Sequence, residues 1–273
     1  MARREVDHLL IGGGRAAASC AETLRQEGAD GSILLVGRES DPPYDRPPLS
    51  KGYLQGKEDR ASALLHGDEW WDEQAIELLT RTSVMKLDPG ERVATLSNKE
   101  EVSFGSALLA TGANVLRLRA EGGQLDGIHY LRAFGNADAI RADAGRASRV
   151  VLVGGSYIGC EVAASLVAAY GCECTIVMRE RLCFENQFGD EVGGFFHRVL
   201  EEHGVHLHGG EELERFEGED GRVGRVVTKG GLELDCDCVV IGAGVIPDVM
   251  LARAAGLELG ESGGVKCSSR LET

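Results

Sequence analysis

The sequence predicts an α/β protein of two Rossmann-like lobes, each a parallel sheet between layers of helices, with the second lobe inserted in the first. Three observations predict it. A short apolar run meets glycines and then an alanine-rich segment in His8–Ser19, HLLIGGGRAAAS. The same order returns in Arg149–Leu166, RVVLVGGSYIGCEVAASL. The chain has 273 residues, more than a usual single domain of about 100–200. Each stretch reads as strand, tight turn and helix, and two copies carry far more weight than one.

Composition bounds the class. A hydrophobic fraction of 43% with 38 glycines and 6 prolines suits an α/β chain with many glycine turns and excludes a disordered or collagen-like one. The formal net charge of −15 argues against a general nucleic-acid surface, which needs a basic field. A local basic patch drawn from Arg3, Arg4, Arg46 and Lys51 stays open. No stretch approaches the ~20 apolar residues of a membrane helix, and the N-terminus lacks a signal-peptide core, so no membrane association and a cytoplasmic location are expected. The AASC ending at Cys20 only resembles a lipoprotein cleavage site. Eight cysteines include two CxC pairs, Cys172 with Cys174 and Cys236 with Cys238, and no CxxC. That is neither a redox motif nor a zinc-ligand spacing, and reduced structural thiols are expected. Strand alternation would put each pair on one face.

In the first stretch Gly12 makes the tight turn and Gly14 lets the backbone approach a pyrophosphate. Small Ala17 stands where the third glycine of GxGxxG packs helix on strand. The helix N-terminus adds free amides and a positive dipole end. A helix over Ala16–Glu27 stops at Gly28, and Ser32–Val36 is the second strand, completing a βαβ unit. Glu39 follows Gly14 at near the spacing, about 20 residues, of the acid that accepts hydrogen bonds from an adenosine ribose.

Four of the six prolines fall in DPPYDRPPLSKGYL, Asp41–Leu54, a stiff loop that holds Arg46 and Lys51 at set positions. Ala61–Leu79, with Trp70 and Trp71, reads as an amphipathic packing helix. Val84–Leu96 reads as strands around the turn Asp88-Pro89-Gly90. Ser106–Ala113, SALLATGA, is an apolar strand ending in a small-residue turn, and it closes the first lobe. A polar crossover follows, helical over Asn136–Ala147.

The second copy keeps Gly154 and Gly159, with Ser156 where GxGxxG expects glycine. Its second strand, Cys174–Met178, ends without an acid and is followed by Arg179, Glu180 and Arg181. Arginines without a carboxylate at the strand end fit a 2′-phosphate better than a free ribose, and Glu180 keeps both options open. Phe195–Gly204 reads as a helix with a glycine stop. Arg222–Asp237 reads as strands around Gly230-Gly231, and Cys238–Asp248 mirrors the closing strand of the first lobe. His203, His206 and His208 show no metal-ligand spacing, and no GxSxG, HExxH or Walker sequence occurs.

With GGGRAAAS, PPYDRPPLSKGYL, LLATGA, GGSYIGCEVAASL and VIGAGVIPD in this order, the chain resembles the flavin-dependent pyridine-nucleotide oxidoreductases. The resemblance is to the ferredoxin reductase branch, which includes putidaredoxin and rubredoxin reductases and apoptosis-inducing factor. YDRPPLSK is its most specific part. It implies FAD on the first lobe, NAD(P)H on the second, and electron transfer through the flavin to a ferredoxin-like iron-sulfur partner. It further implies that Gly12 and Gly14 hold the FAD pyrophosphate, with Ala17 completing the same cofactor turn by its packing, Glu39 the ribose, and Arg46, Pro47 and Lys51 the region of pyrophosphate and isoalloxazine. Thr111 and Gly112 would line the FAD side. Gly154, Gly155, Ser156, Ile158, Gly159 and Arg179 would receive NAD(P)H, and Gly242 and Gly244 would border both cofactors. Lys51 and Glu161 are the implied catalytic pair: a cation near the flavin favours its reduced, anionic ring, and a carboxylate holds the amine in place. Neither cysteine relay of the related disulfide reductases is present, so reduced flavin would pass electrons directly to a docked acceptor.

The expected organisation is an FAD-binding segment over residues 1–114, an NAD(P)H-binding domain over 115–242 and an incomplete second FAD-binding segment over 243–273. The chain stops at CSSRLET, where the family continues, and is expected to be C-terminally truncated. Alternative readings are an NAD(P)H oxidase, a reductase of a quinone or radical, or a nucleotide-binding redox sensor or interaction protein. The residues leave NADH against NADPH, and the oligomeric state, open.

Overall fold

A computed structural model of the chain describes residues 4–273, so Arg3 of the candidate basic patch lies outside the described residues. The chain divides into two compact units. The first takes the N-terminal residues through Asp45, Ala63–Asn114 and Ile246–Thr273; the second takes Arg46–Ser62 and Val115–Val245.

The first unit opens with β1 (Arg4–Ile11), α1 (Arg15–Gln26) and β2 (Ile33–Val36), followed by α2 (Asp68–Glu73) and β3 (Ile76–Leu79). The strands β4 (Val84–Asp88), β5 (Val93–Leu96) and β6 (Glu101–Leu109) come next. One sheet runs in the order β3-β2-β1-β6-β5-β4. Its first four strands are parallel and its β6-β5-β4 part is an antiparallel meander. All four residues of β2, ILLV, are buried, as a parallel strand covered on both faces requires. One face packs Leu10, Ile33 and Leu35 against Ala17, Ala18 and Ala21 of α1. The other packs Leu9, Ile11, Leu34 and Val36 against Leu87, Ala94 and Leu96.

The helix expected over Ala61–Leu79 is corrected by the structure. Only short helical pieces form there, and Ala75 adopts φ +49°, which ends α2 and frees Ile76–Leu79 to pair with β2 as an edge strand. Ile76 and Leu78 join the α1-side core, so burial against the sheet overrides the helical periodicity.

The second unit contains β7 (Ile128–Tyr130), α3 (Phe134–Ala144), β8 (Arg149–Val153), α4 (Tyr157–Tyr170), β9 (Glu173–Met178), α5 (Glu185–Glu202) and β10 (Val205–Gly209). It continues with β11 (Leu213–Glu219), β12 (Arg222–Thr228), β13 (Glu233–Asp235) and β14 (Cys238–Ile241). A parallel sheet in the order β10-β9-β8-β14-β7 is joined by the antiparallel sheet β11-β12-β13. The antiparallel sheet buries Phe216, Val223 and Val226 on Val151, Val153, Val239 and Ile241.

α5 starts ten residues earlier than the helix expected from Phe195, at Glu185. Its first ten residues carry Gly189, Gly193 and Gly194, and Gly189 breaks the helical dihedrals at φ +75°, so that part has no helical pattern to read. The expectation that each CxC pair lies on one face fails for Cys236 with Cys238. Cys174 and Cys238 flank Val150 in one row, whereas Cys236, which precedes β14, packs with Val151 on the opposite face.

The proline segment 46–62 packs with the second unit. Pro47–Ser50 forms one 3-10 turn, and Leu49, Tyr53 and Leu54 are buried. Ser165 Oγ of α4 donates to the Ser50 carbonyl at 2.7 Å, and Tyr170 Oη donates to the Leu54 carbonyl at 2.8 Å. A last short helix, α6 (Met250–Ala254), returns to the first unit, where Leu251 packs on the meander side of the core. Among the described residues no helix is long and apolar enough to cross a membrane.

Candidate functional site

In the first unit the glycine turn follows the C-terminal end of β1, the end at which parallel α/β sheets take ligands. Gly12 holds φ +133°, and a Cβ there would lie 2.1 Å from the Ala110 carbonyl oxygen, so no other residue fits between β1 and the end of β6. Gly14 caps α1 with extended backbone, and a Cβ built on it meets nothing within 4 Å. The first turn of α1 carries no acidic residue and Ala17 is fully buried, so α1 packs tightly while its N-terminal amides face an open space. That is a cradle for an anionic pyrophosphate, and the residues fit FAD at this turn.

Glu39 lies on the loop after β2, where Tyr44 Oη donates to its Oε2 at 2.5 Å. Thr111 Oγ1 donates to the Asp248 carbonyl at 2.6 Å, and the Asp248 N–H donates to Gly112 O at 2.9 Å. Arg38 reaches Asp248 at 3.1 Å and Asn114 at 2.9 Å, tying the residue beside Glu39 to the same strand end. The structure thus places Gly12, Gly14, Ala17, Glu39, Thr111 and Gly112 in the first unit, around the ends of β1, β2 and β6.

The second unit repeats the device. Gly154 holds φ +115°, and its Cβ would lie 2.5 Å from Gly242 O; a Cβ on Gly159 would lie 1.8 Å from Gly154 O. Gly242 in turn leaves no room above Gly159 N and Ile158, so Gly154, Ile158, Gly159 and Gly242 interlock backbone to backbone. Ser156 caps α4, its Oγ accepting the Tyr157 N–H at 2.7 Å. Gly155 lies over the Met178 sulfur, Gly244 sits in the loop after β14 at φ +107°, and Arg179 follows β9.

Arg46, Pro47 and Lys51 fall in the second unit. Lys51 Nζ lies 2.8 Å from Glu161 Oε2, and Ser50 Oγ donates to the same oxygen at 2.5 Å. Arg46 donates to the Arg132 carbonyl. The pair of Lys51 and Glu161 is therefore formed, on the second turn of the helix that begins at the glycine turn. Glu161 is one-quarter exposed and Lys51 half exposed, so the pair is wet and its value is positional more than energetic.

Sequence reasoning missed Ser50 and Tyr44, which hold Glu161 and Glu39. Both stand in the proline-rich stretch Asp41–Leu54, where no periodicity marks a hydroxyl as a carboxylate partner. A cleft of about 800 Å³ at the opposite end of the second sheet contains none of the expected site residues. Its Arg149 and Arg225 pair with Asp235, and its Arg146 and Arg222 with Asp143.

Comparisons with known proteins agree with this geometry. The sequence profile of the pyridine nucleotide-disulphide oxidoreductase family matches residues 6–273. A probable ferredoxin reductase of Castellaniella defragrans is 37% identical over 250 residues, covering 92% of this chain and 61% of that protein. The crystal structure of the ferredoxin reductase for the CYP199A2 system from Rhodopseudomonas palustris superposes with a TM-score of 0.91 at 32% identity, over 95% of this chain and 63% of that one. The reductase of a covalent putidaredoxin reductase–putidaredoxin complex gives 0.88 at 32% identity, over 93% of this chain and 62% of that one. The chain spans about three fifths of the length of the proteins it matches.

Proposed function

This chain belongs to the pyridine nucleotide-disulphide oxidoreductase family, and from that premise we propose that it passes electrons from NAD(P)H through FAD to a ferredoxin-like iron-sulfur protein. The observation that carries the reading is the duplicated glycine turn, one per unit, each with a first glycine packed on backbone at positive φ and a helix that starts directly after it. On this reading residues 1–114 and 243–273 make the FAD lobe and 115–242 the NAD(P)H lobe, with segment 46–62 lent to the second unit. Gly12, Gly14, Glu39, Thr111 and Gly112 hold FAD, and buried Ala17 packs α1 on the sheet behind the turn. Gly154, Gly155, Ser156, Ile158, Gly159, Arg179, Gly242 and Gly244 receive NAD(P)H. When bound, FAD accepts a hydride and releases the electrons singly.

The protein's own part is positional and electrostatic. On this reading Lys51 supplies the ammonium that favours reduced flavin, Glu161 accepts from it and from Ser50, and Arg46 and Pro47 stiffen the segment that carries it. The solved complex of a related reductase with putidaredoxin supports a small iron-sulfur partner. Eight free cysteines support a reducing, cytoplasmic setting. The test is an anaerobic titration of the FAD-reconstituted chain with NADPH and with NADH, followed by addition of an oxidised [2Fe–2S] ferredoxin. The flavin band should bleach and then recover as ferredoxin is reduced. A chain that retains no FAD, or a band that neither nucleotide bleaches, defeats the reading. Rapid reoxidation by air alone would point to an oxidase.

A further inference from the structure

The end of β9 lacks the acid that would read a ribose, and the side chains of residues 178–181 divide into three that are engaged and one that is not. Met178 is buried, with its sulfur 3.8 Å from Cys183 Sγ and directly beneath Gly155, where a Cβ would lie 2.1 Å from it. It forms the floor of the turn and offers a ligand no acceptor. The Glu180 carboxylate accepts a hydrogen bond from Asn186 Nδ2 at 2.8 Å. Arg181 is clamped between Glu185 at 2.6 Å and Asp190 at 2.9 Å, and its Nε also reaches Glu185 at 3.1 Å. Arg179 is exposed and, among the described residues, makes no hydrogen bond or ion pair. The one carboxylate its charge acts on among the described residues, Glu212, is bound to Lys229 at 2.7 Å and forms no ion pair with Arg179, so the Arg179 guanidinium keeps its donors for a ligand.

We propose that Arg179 reads the 2′-phosphate of NADPH and makes the dinucleotide site of the second unit selective for NADPH over NADH. The inference rests on the assignment of that unit as the NAD(P)H lobe. A guanidinium presents paired donors that match a phosphate in geometry and charge. NADH would bring a ribose diol that needs an acceptor, and the only carboxylate in this stretch is held by Asn186. NADH forgoes that charge-assisted pair, so the discrimination comes from the contact that only the 2′-phosphate makes. Arg181, which the sequence offers as an equal candidate, is excluded by its two ion pairs.

Isothermal titration of the full chain with 2′,5′-ADP and with 5′-ADP isolates this contact, because the two probes differ only in the 2′-phosphate and need neither flavin nor hydride transfer. 2′,5′-ADP should bind about tenfold or more tighter, the range of a hydrogen-bonded charge pair. Arg179→Ala should erase the preference while changing 5′-ADP affinity less than about twofold, and Arg181→Ala should keep it. Arg179→Glu should reverse it, and circular dichroism would confirm that each variant is folded. Equal binding of the two probes to the unaltered chain, or a preference that survives Arg179→Ala, overturns the proposal and leaves the NAD(P)H lobe standing. Binding of neither probe overturns both.

Discussion

Ser50, Lys51 and Glu161 show how much of a site can depend on one carboxylate oxygen, since Glu161 Oε2 receives both the ammonium and the hydroxyl. Lys51→Ala is expected to slow flavin reduction by NADPH about 10²-fold in stopped flow, the scale of losing one aimed electrostatic group; an unchanged rate would remove Lys51 from the mechanism. The thiols give a second expectation. Burial pushes the Cys236 and Cys238 thiols up to about 12, the neighbouring carboxylates Asp237 and Asp143 adding to it. A thiol reacts as thiolate, so both should resist an aromatic disulfide reagent at pH 8 in the folded chain while exposed Cys267 reacts at once. Peptide mapping of the first labelled site checks this. At this scale the sequence shows the residue types but not their pairing. Lys51 with Glu161 came from family resemblance, Ser50 from nothing in the pattern, and the choice of Arg179 over Arg181 needed the positions of Glu185 and Asp190.

The elements were far easier to read, because a strand covered on both faces must be apolar throughout and a nucleotide turn must be small. Hence β1, α1, β2, β8, α4 and β9 stand within a few residues of where the sequence puts them, whereas β3 and the first half of α5 do not. In those two a glycine or a left-handed alanine interrupts the period, and packing decides. The turns also predict unequal glycines. Gly12→Ala should cost several kcal/mol of stability, since backbone blocks its Cβ and φ is positive, while Gly14→Ala should leave the urea midpoint nearly unchanged and weaken FAD binding. Equal loss of stability in the two variants would refute the distinction.

Asp143, at the C-terminal end of α3, joins His129 of β7 and Arg222 of β12. Burial pushes its carboxyl up, but hydrogen bonds from His129, Arg146 and Arg222 outweigh it and hold the group below its ordinary 3.8. A carboxyl lowered on folding stabilises the fold above that ordinary value, and the contribution is lost as pH falls below 3.8 through the folded value. Asp143→Ala should therefore cost about 1–3 kcal/mol at pH 7, removing the carboxylate that accepts from His129 and Arg222, and should flatten the acid limb of the stability profile. Denaturant unfolding at pH 7 and at pH 3 measures both.

Across the whole molecule, the repeat exposes the plan of two α/β units, but the chain-order reading assigns each segment to its sequence neighbours. Residues 46–62 escape that logic. Leu54 is fully buried in the second unit, and Ser50, Leu54 and Gln55 exchange hydrogen bonds with α4. Leu54→Ala should lower the opening free energy of both segment 46–58 and α4 by about 2–5 kcal/mol in hydrogen exchange, with the amides of β1 and α1 unaffected. A response confined to the segment would show that it does not belong to that core.

That borrowed segment also sets a timetable. Ser50 precedes its carboxylate partner by 111 residues, which at about 5–20 residues per second on the ribosome is roughly 5–20 s of synthesis. For that interval Ser50, Leu54 and Gln55 lack the α4 side chains they bond, and the loop that must then close is long, which slows folding more than it weakens the product. The stretch that carries Lys51 is therefore also the stretch of the newborn chain in most need of a chaperone.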